Sequence, residues 1–206
     1  PNKIGIEIEA ALAFGTGHRG TTRGCLLLLD HVLKAWRPRR VLDLGTGTGV
    51  LAIAAAKALH EKVLASDIDP PSVQVARENA GLNVAGHLVR PIRATGFSAP
   101  QFASAAPFDL VLANILANPL RQLATPMARH LAPSAHVILS GLLTPQAPGV
   151  IAAYRARGLV PGAGARLSAR GLPGVQLAQH ERRAAGRHPA PPRRVPVVAD
   201  GRLPLG

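Results

Sequence analysis

The 206 residues, 47% of them hydrophobic and only 3% aromatic, suffice for one sizeable core packed from Ala, Val, Ile and Leu, and fall short of two. A single cysteine excludes an intrachain disulfide and fits a reducing, cytoplasmic setting, and no apolar run reaches the ~18 residues of a membrane span. The net charge of +13 is weak support for an anionic partner, because residues 161–206 hold eight Arg against two acids, nearly half the excess in the least fold-like fifth of the chain.

The amino terminus lacks the basic, apolar, small-residue order of a signal peptide, and Pro1 reads as the start of a sequence whose upstream part is missing. Residues 26–29 (LLLL) with His31, Val32 and Leu33 read as the buried face of a first helix, and Cys25 as a small buried apolar residue. Arg37, Arg39 and Arg40 around Pro38 read as a solvated loop between helix and strand. Residues 40–44 (RVLDL) predict a buried strand, 50–59 (VLAIAAAKAL) a helix of strong formers, and 62–67 (KVLASD) a second strand. Pro70-Pro71 suits the first turn of a helix over 72–83, with Asp69 as its N-cap. A poorer third strand spans 87–92, where Pro91 cannot donate to a ladder and favours an edge. Strands over 108–113 and 136–140 alternate with helices over 119–131 and 146–157. This βαβ rhythm predicts an α/β fold with a mostly parallel sheet and helices on both faces.

The rhythm stops near Val160, and the first 160 residues are read as the domain. Residues 161–206 contain seven Pro, seven Gly and eight Arg without a sustained period, a composition read as disordered or not native to the fold. The abruptness of the change reads as a shifted frame or misplaced gene end. An arginine-rich nucleic-acid tail is the alternative, but no aromatics interleave for base stacking.

The sharpest feature is VLDLGTGTG at 41–49, a strand running through a glycine loop into a helix. The spacing is G-x-G-x-G, with Val50 where a dinucleotide fingerprint needs its third glycine, and no Lys-Ser/Thr pair follows as in a P-loop. Asp43 lies two residues before Gly45. A carboxylate there suits a ligand with a nearby cation, such as the ammonium or sulfonium of S-adenosylmethionine, better than a pyrophosphate. Asp67, 22 residues past Gly45, is placed to accept both hydroxyls of a ribose, and Ile68 to pack on an adenine face. A generic α/β turn with capping acids is the alternative. Asn114, in ANILA at the end of the fourth strand, offers a carboxamide oxygen that, with backbone carbonyls around Ile115, could orient N–H groups. A strand-end turn residue is the alternative for Asn114. Eight histidines show no ligand spacing and Cys25 has no partner, so no metal is expected.

Together with AFGTGHRGTT (13–22), ANILA (113–117) and LSGLL (139–143), the glycine loop and SDIDP (66–70) resemble the ribosomal protein L11 methyltransferase family over roughly residues 3–160. The resemblance implies a Rossmann-like class I methyltransferase that uses S-adenosylmethionine to methylate protein amines, the N-terminal amine and lysine side chains, of a large-subunit ribosomal protein. For the methyl transfer to an amine that the resemblance implies, Asn114 is read as the catalytic residue. Carried over by motif, cofactor contacts fall on Thr22, Gly45, Asp67 and Asn114, with Phe14, Gly15, Thr16, Gly47 and Ile68 nearby. The chain departs from the family pattern at Arg19, where a second His is usual, and at Pro133-Ser134-Ala135, where Pro-Gly-Gly is usual. An N-terminal recognition domain and the terminal hairpin strands of the sheet are read as lacking.

Competing readings are a nucleic-acid or small-molecule N-methyltransferase and a catalytically silent fragment. Against nucleic acid stands the strand-four motif, where Ile115, Leu116 and Ala117 offer no aromatic to stack on a flipped base.

Overall fold

Alternate residues of the central strands belong to two separate apolar layers, which is why those strands read as continuous hydrophobic runs. The computed structural model describes residues 4–9, 18–161 and 175–179. In β1 (Val41–Leu44) and β4 (Phe108–Asn114), Leu42, Leu44, Val111 and Ala113 face one helical layer, and Val41, Leu110 and Leu112 the other. The first layer is built on α4 (Pro100–Ala105), α5 (Ala117–Arg129) and α6 (Ala147–Arg155). The second is built on α1 (His18–Ala35) and α2 (Val50–Leu59), with Ala80 of α3 (Pro70–Leu82).

The remaining strands are β2 (Val63–Asp67), β3 (Val89–Arg93), β5 (Leu131–Ser140), β6 (Leu159–Pro161) and β7 (Val175–Gln179). The sheet order is β3-β2-β1-β4-β5-β7-β6. The first five strands of that order are mutually parallel, β7 runs antiparallel to β5, and β6 antiparallel to β7. This is the Rossmann-like α/β arrangement of class I methyltransferases. The order reverses between β1 and β4, so the carboxyl ends of these two strands open the crevice where ligands of such sheets bind.

Local chemistry explains the element ends near that crevice. Gly49 stands before α2 in the left-handed region (φ 83°), and an added Cβ would lie 3.2 Å from the backbone of Ala76 in α3. Asp69 caps α3 as expected: its Oδ2 accepts from the Ser72 N–H (3.0 Å) and hydroxyl (2.7 Å), with proline in the first turn. Cys25 is fully buried, with Leu29 and Val32 on the same inward face of α1. Pro91 lies in β3, the terminal strand of the sheet, where a missing donor is tolerated.

One expectation is corrected: the sheet does not lack its terminal hairpin strands, since β6 and β7 cover the outer edge of β5. Runs of three and five residues set among Pro, Gly and Arg are too short for a period to stand out. The unpaired edge of β5 supplies the backbone partners that propensity does not record. The remainder of the 161–206 segment, and the expectations attached to it, lie outside the described residues.

Two smaller differences share a cause in tertiary contact. Helix α4 was not anticipated; it is six residues long and held by the fully buried Phe102. Strand β5 begins at Leu131, five residues earlier than expected, and α5 ends at Arg129, because Leu131 pairs with Phe108 across a shift of register.

Candidate functional site

The glycine loop is fastened at its base by β2: the N–H groups of Gly45 and Thr46 both donate to the Ser66 carbonyl, at 2.8 and 3.0 Å. Gly45 has φ 72°, and a Cβ there would run into the Ile115 side chain. Gly47 (φ 53°) is different, because a Cβ would meet nothing within 4 Å. The first glycine therefore permits close packing against the β4 end, and the second faces open space.

Both carboxylates engage this loop. Asp43 is fully buried, and its Oδ2 accepts from the Thr46 hydroxyl (2.6 Å) and the Ala52 N–H (3.1 Å). Its Oδ1 is buried without a partner. Burial pushes the Asp43 carboxyl up to about 6; the Thr46 and Ala52 bonds oppose that rise and the nearby Asp67 charge adds to it. Asp67, at the β2 end and half-buried, accepts from the Gly47 N–H through Oδ2 (2.9 Å) and from the Asp69 N–H through Oδ1 (3.0 Å). Each of its oxygens keeps acceptor capacity beyond these bonds. Ile68 follows with 63% of its surface exposed, an apolar side chain presented beside the ribose-binding candidate.

The opposite wall is formed by strands β4 and β5 together with α1. The Asn114 carboxamide donates from Nδ2 to the Thr22 hydroxyl (3.2 Å), while its Oδ1 is buried and unpartnered. Ser140, paired in register with Asn114, donates its hydroxyl to the Thr21 carbonyl (3.2 Å). Gly141 has φ 80°, and its absent side chain lets the Ile115 backbone approach; a Cβ would lie 2.5 Å from the Ile115 oxygen. One turn past Thr22, Cys25 lies against Ser140, and burial pushes its thiol up to about 12, which removes it as a nucleophile near neutrality.

Thr22, Asp43, Gly45, Gly47, Asp67 and Asn114 thus come together at the carboxyl ends of β1, β2 and β4, with Ile68 on the following loop. Phe14, Gly15 and Thr16 lie outside the described residues. The sequence reading missed Thr21, Thr46, Ser66 and Ser140. Thr46 was legible as the loop residue three after Asp43, within reach of its own carboxylate; Ser66 and Ser140 gave no local signal, since their roles depend on strand neighbours. Among the described residues no group of three His, Cys, Asp or Glu could hold a metal ion, and no helix is long and apolar enough to cross a membrane.

A shallow groove of about 200 Å³ lined by Arg37, Pro38, Arg39, Leu59 and Glu61 lies at the opposite, amino edge of the sheet. There Asp109 accepts from the backbone N–H groups of Arg39 and Arg40, and the arginine side chains are exposed, as expected of a solvated loop.

The residues fit an adenosyl sulfonium ligand on three independent points. A buried anion lacks a donor at Asp43 Oδ1, a buried neutral acceptor lacks one at Asn114 Oδ1, and the loop is open at Gly47 between them and Asp67. A pyrophosphate, which brings negative charge and only acceptors, would satisfy neither orphan.

The family described as ribosomal protein L11 methyltransferase (PrmA) matches residues 1–161. A curated ribosomal protein L11 methyltransferase from Bradyrhizobium diazoefficiens is 83% identical over 161 residues, which are 78% of this chain and 55% of that protein. The chain spans about half the length of the curated relatives it matches. Among solved structures, the ribosomal protein L11 methylase of Lactobacillus delbrueckii subsp. bulgaricus superposes with a TM-score of 0.69 at 32% identity, covering 85% of this chain and 86% of that one. An RNA methyltransferase from Salinibacter ruber in complex with S-adenosyl-L-homocysteine shares the fold, with a TM-score of 0.54 at 20% identity over 78% of this chain and 90% of that one.

Proposed function

The chain belongs to the ribosomal protein L11 methyltransferase family, and from that premise we propose that it forms the S-adenosylmethionine-binding, catalytic part of a cytoplasmic N-methyltransferase. Its substrate class is protein amines, the N-terminal amine and lysine side chains of a large-subunit ribosomal protein. The observation that carries this reading is the pair of buried, donorless oxygens, Asp43 Oδ1 and Asn114 Oδ1, on the adjacent strands β1 and β4 near their carboxyl ends.

When bound, S-adenosylmethionine supplies a methyl group on an electrophilic sulfonium. The chain's own residues do the rest by positioning. Asp67 accepts hydrogen bonds from the ribose hydroxyls while the Gly47 and Asp69 N–H groups fix its carboxylate plane. Ile68 covers the adenine face. Asp43 would face a cation of the cofactor, its α-ammonium or sulfonium, and its ionisation, disfavoured without a ligand, would become favourable beside that charge. Asn114 Oδ1, left without a partner because the carboxamide donates from Nδ2 to the Thr22 hydroxyl, would accept an N–H of the incoming amine and so orient its lone pair. The amine must arrive deprotonated, since an ammonium has no lone pair to transfer.

Two measurements test the two halves of the proposal. Asp67→Ala is expected to abolish S-adenosylmethionine binding measured by calorimetry; undiminished affinity would remove the ribose-clamp assignment. Purified ribosomal protein L11, incubated with the chain and methyl-labelled cofactor, is expected to gain label on amines only slowly, since the chain spans about half the length of its curated relatives, and to gain none with Asn114→Ala. Label on RNA with none on the protein would overturn the substrate class.

A further inference from the structure

Residues 4–9 have the alternation of a strand, with Ile6 and Ile8 half-buried against the α1–α2 layer and Glu7 and Glu9 exposed. They nevertheless pair with no strand of the sheet. Three of their backbone groups bond instead to the side chains of Asn79 in α3 and of Asn83, the residue that caps its end, and the Gly5 carbonyl accepts from Lys57 Nζ of α2 (2.9 Å). The Glu7 N–H donates to Asn83 Oδ1 (2.9 Å), and Asn83 Nδ2 returns a bond to the Glu7 carbonyl (2.6 Å). The Glu9 N–H donates to Asn79 Oδ1 (3.0 Å). Asn79 and Asn83, four residues apart, therefore act as a two-rung substitute for a sheet edge.

The two asparagines differ in what their amide groups hold. Asn83 Nδ2 also donates to the Asn79 carbonyl, within its own helix (2.8 Å). Asn79 Nδ2 instead donates to the Thr48 carbonyl (2.9 Å), in the middle of the glycine loop. Thr48 lies between Gly47 and Gly49, both at positive φ. Asn79 is fully buried, and Ala76, three residues earlier on the same face of α3, packs against Gly49. A buried polar side chain with both ends used is an expensive way to fill space, and an apolar residue would serve packing alone. The oxygen of Asn79 holds the arm that leads by sequence to residues 14–16, and its nitrogen holds the loop.

We propose that Asn79 is a positioning residue that clasps the arm at residues 4–9 to the glycine loop, so that the loop keeps its cofactor-binding arrangement only while the arm is seated, and a bound cofactor tightens the arm in return. This rests on the S-adenosylmethionine reading above. The coupling is reciprocal by linkage: whatever free energy the seated arm adds to ligand affinity, the ligand adds to arm seating.

The test uses the whole chain with Asn79→Ala, Asn79→Asp and Asn83→Ala, and S-adenosyl-L-homocysteine as the probe. Affinity is read by calorimetry, and amide exchange at Glu7, Glu9 and Gly49 with and without the probe. In the parent, saturating probe is expected to slow exchange at Glu9. Asn79→Ala is expected to speed exchange at Glu9 and Gly49 together and to weaken the probe by about tenfold or more, as loss of a buried bond commonly does. Asn79→Asp keeps an oxygen for the Glu9 N–H but has no N–H₂ for Thr48, and its ionised form repels that carbonyl, so its hold on the probe is expected to weaken as the pH is raised while Glu9 stays protected; it decides the matter if the alanine variant does not fold. Asn83→Ala, which loosens the arm without touching the loop, is expected to speed exchange at Glu7 and to weaken the probe by a smaller factor than Asn79→Ala, about two- to threefold. Parent-like affinity in both Asn79 variants, or equal weakening by Asn83→Ala, would overturn the proposal. If the parent itself does not bind the probe, the cofactor reading fails, and the clasp is judged alone: joint loss of protection at Glu9 and Gly49 in Asn79→Ala sustains it, and loss at only one of them ends it.

Discussion

Asp43→Asn is expected to make the ligand-free chain more stable and, at the same time, weaken its hold on the cofactor. The Asp43 carboxyl titrates near 6 in the folded chain against an ordinary value of 3.8, chiefly because of burial. The sign follows from linkage. Below pH 3.8 the group is protonated in both folded and unfolded chains and contributes nothing. As the pH rises through 3.8 to 6 the unfolded chain releases the proton first, and folding is increasingly penalised. Above 6 the penalty is complete, about 3 kcal/mol at 1.36 kcal/mol per pH unit, and at pH 5 it is about 1.6 kcal/mol. The amide keeps an oxygen for Thr46 and Ala52 but leaves an N–H₂ where Oδ1 stood, at about 1–2 kcal/mol. A net gain of about 1–2 kcal/mol at pH 8 should raise the melting temperature by roughly 2–6 °C. Paired denaturant melts of parent and variant across pH 5 to 8 isolate the ionisation, because the variant's advantage should shrink by about 1.4 kcal/mol toward pH 5. S-adenosylmethionine affinity should fall by about 10- to 100-fold, the worth of a charge-assisted contact. An advantage independent of pH would refute the reasoning, since it would mean that Asp43 is not an uncompensated buried charge in the empty crevice.

Substitutions at three further positions probe the surrounding frame. Ser134 holds φ 62° in β5, where a side chain is strained; Ser134→Gly should be about 0.5–1 kcal/mol more stable than Ser134→Ala, which removes the same hydroxyl and keeps the strain. Equal melting temperatures for the two would contradict this. Gly141→Ala should cost about 2–4 kcal/mol in denaturant melts, because its Cβ would sit 2.5 Å from the Ile115 backbone oxygen at φ 80°; a loss below about 0.5 kcal/mol would mean that the β4 and β5 ends can move apart freely. Tyr154→Phe should be neutral or stabilising by up to about 1 kcal/mol, since the hydroxyl is buried without a partner; a clear loss by thermal melting would reveal an unrecognised bond.

Much of the crevice was legible because its determinants are close in sequence. The strand, loop and helix from Val41 to Leu59 carry their own signals: a continuous apolar run, glycines at positive-φ positions, and a row of strong helix formers. Asp43 and Asp67 could be singled out because they are the penultimate and last residues of strands that periodicity already located. Their partners were less legible in proportion to separation. Thr46 is three residues from Asp43, whereas Asn114 meets Thr22 across 92 residues and Ser140 meets the Thr21 backbone across 119. The arm at residues 4–9 could be read as apolar-alternating, but nothing local says that its hydrogen-bonding partners are asparagines of α3.

The sequence by itself determined the alternation of strands and helices, the parallel core of the sheet and the glycine cradle at the β1 end, because short-range periodicity and backbone conformational preference are properties of neighbouring residues. Only the tertiary structure decided the antiparallel β7–β6 edge, the early start of β5, the orphaned oxygens of Asp43 and Asn114, and the double grip of Asn79. Each of these depends on which groups burial leaves with partners and which without, and burial exists only once distant segments have met.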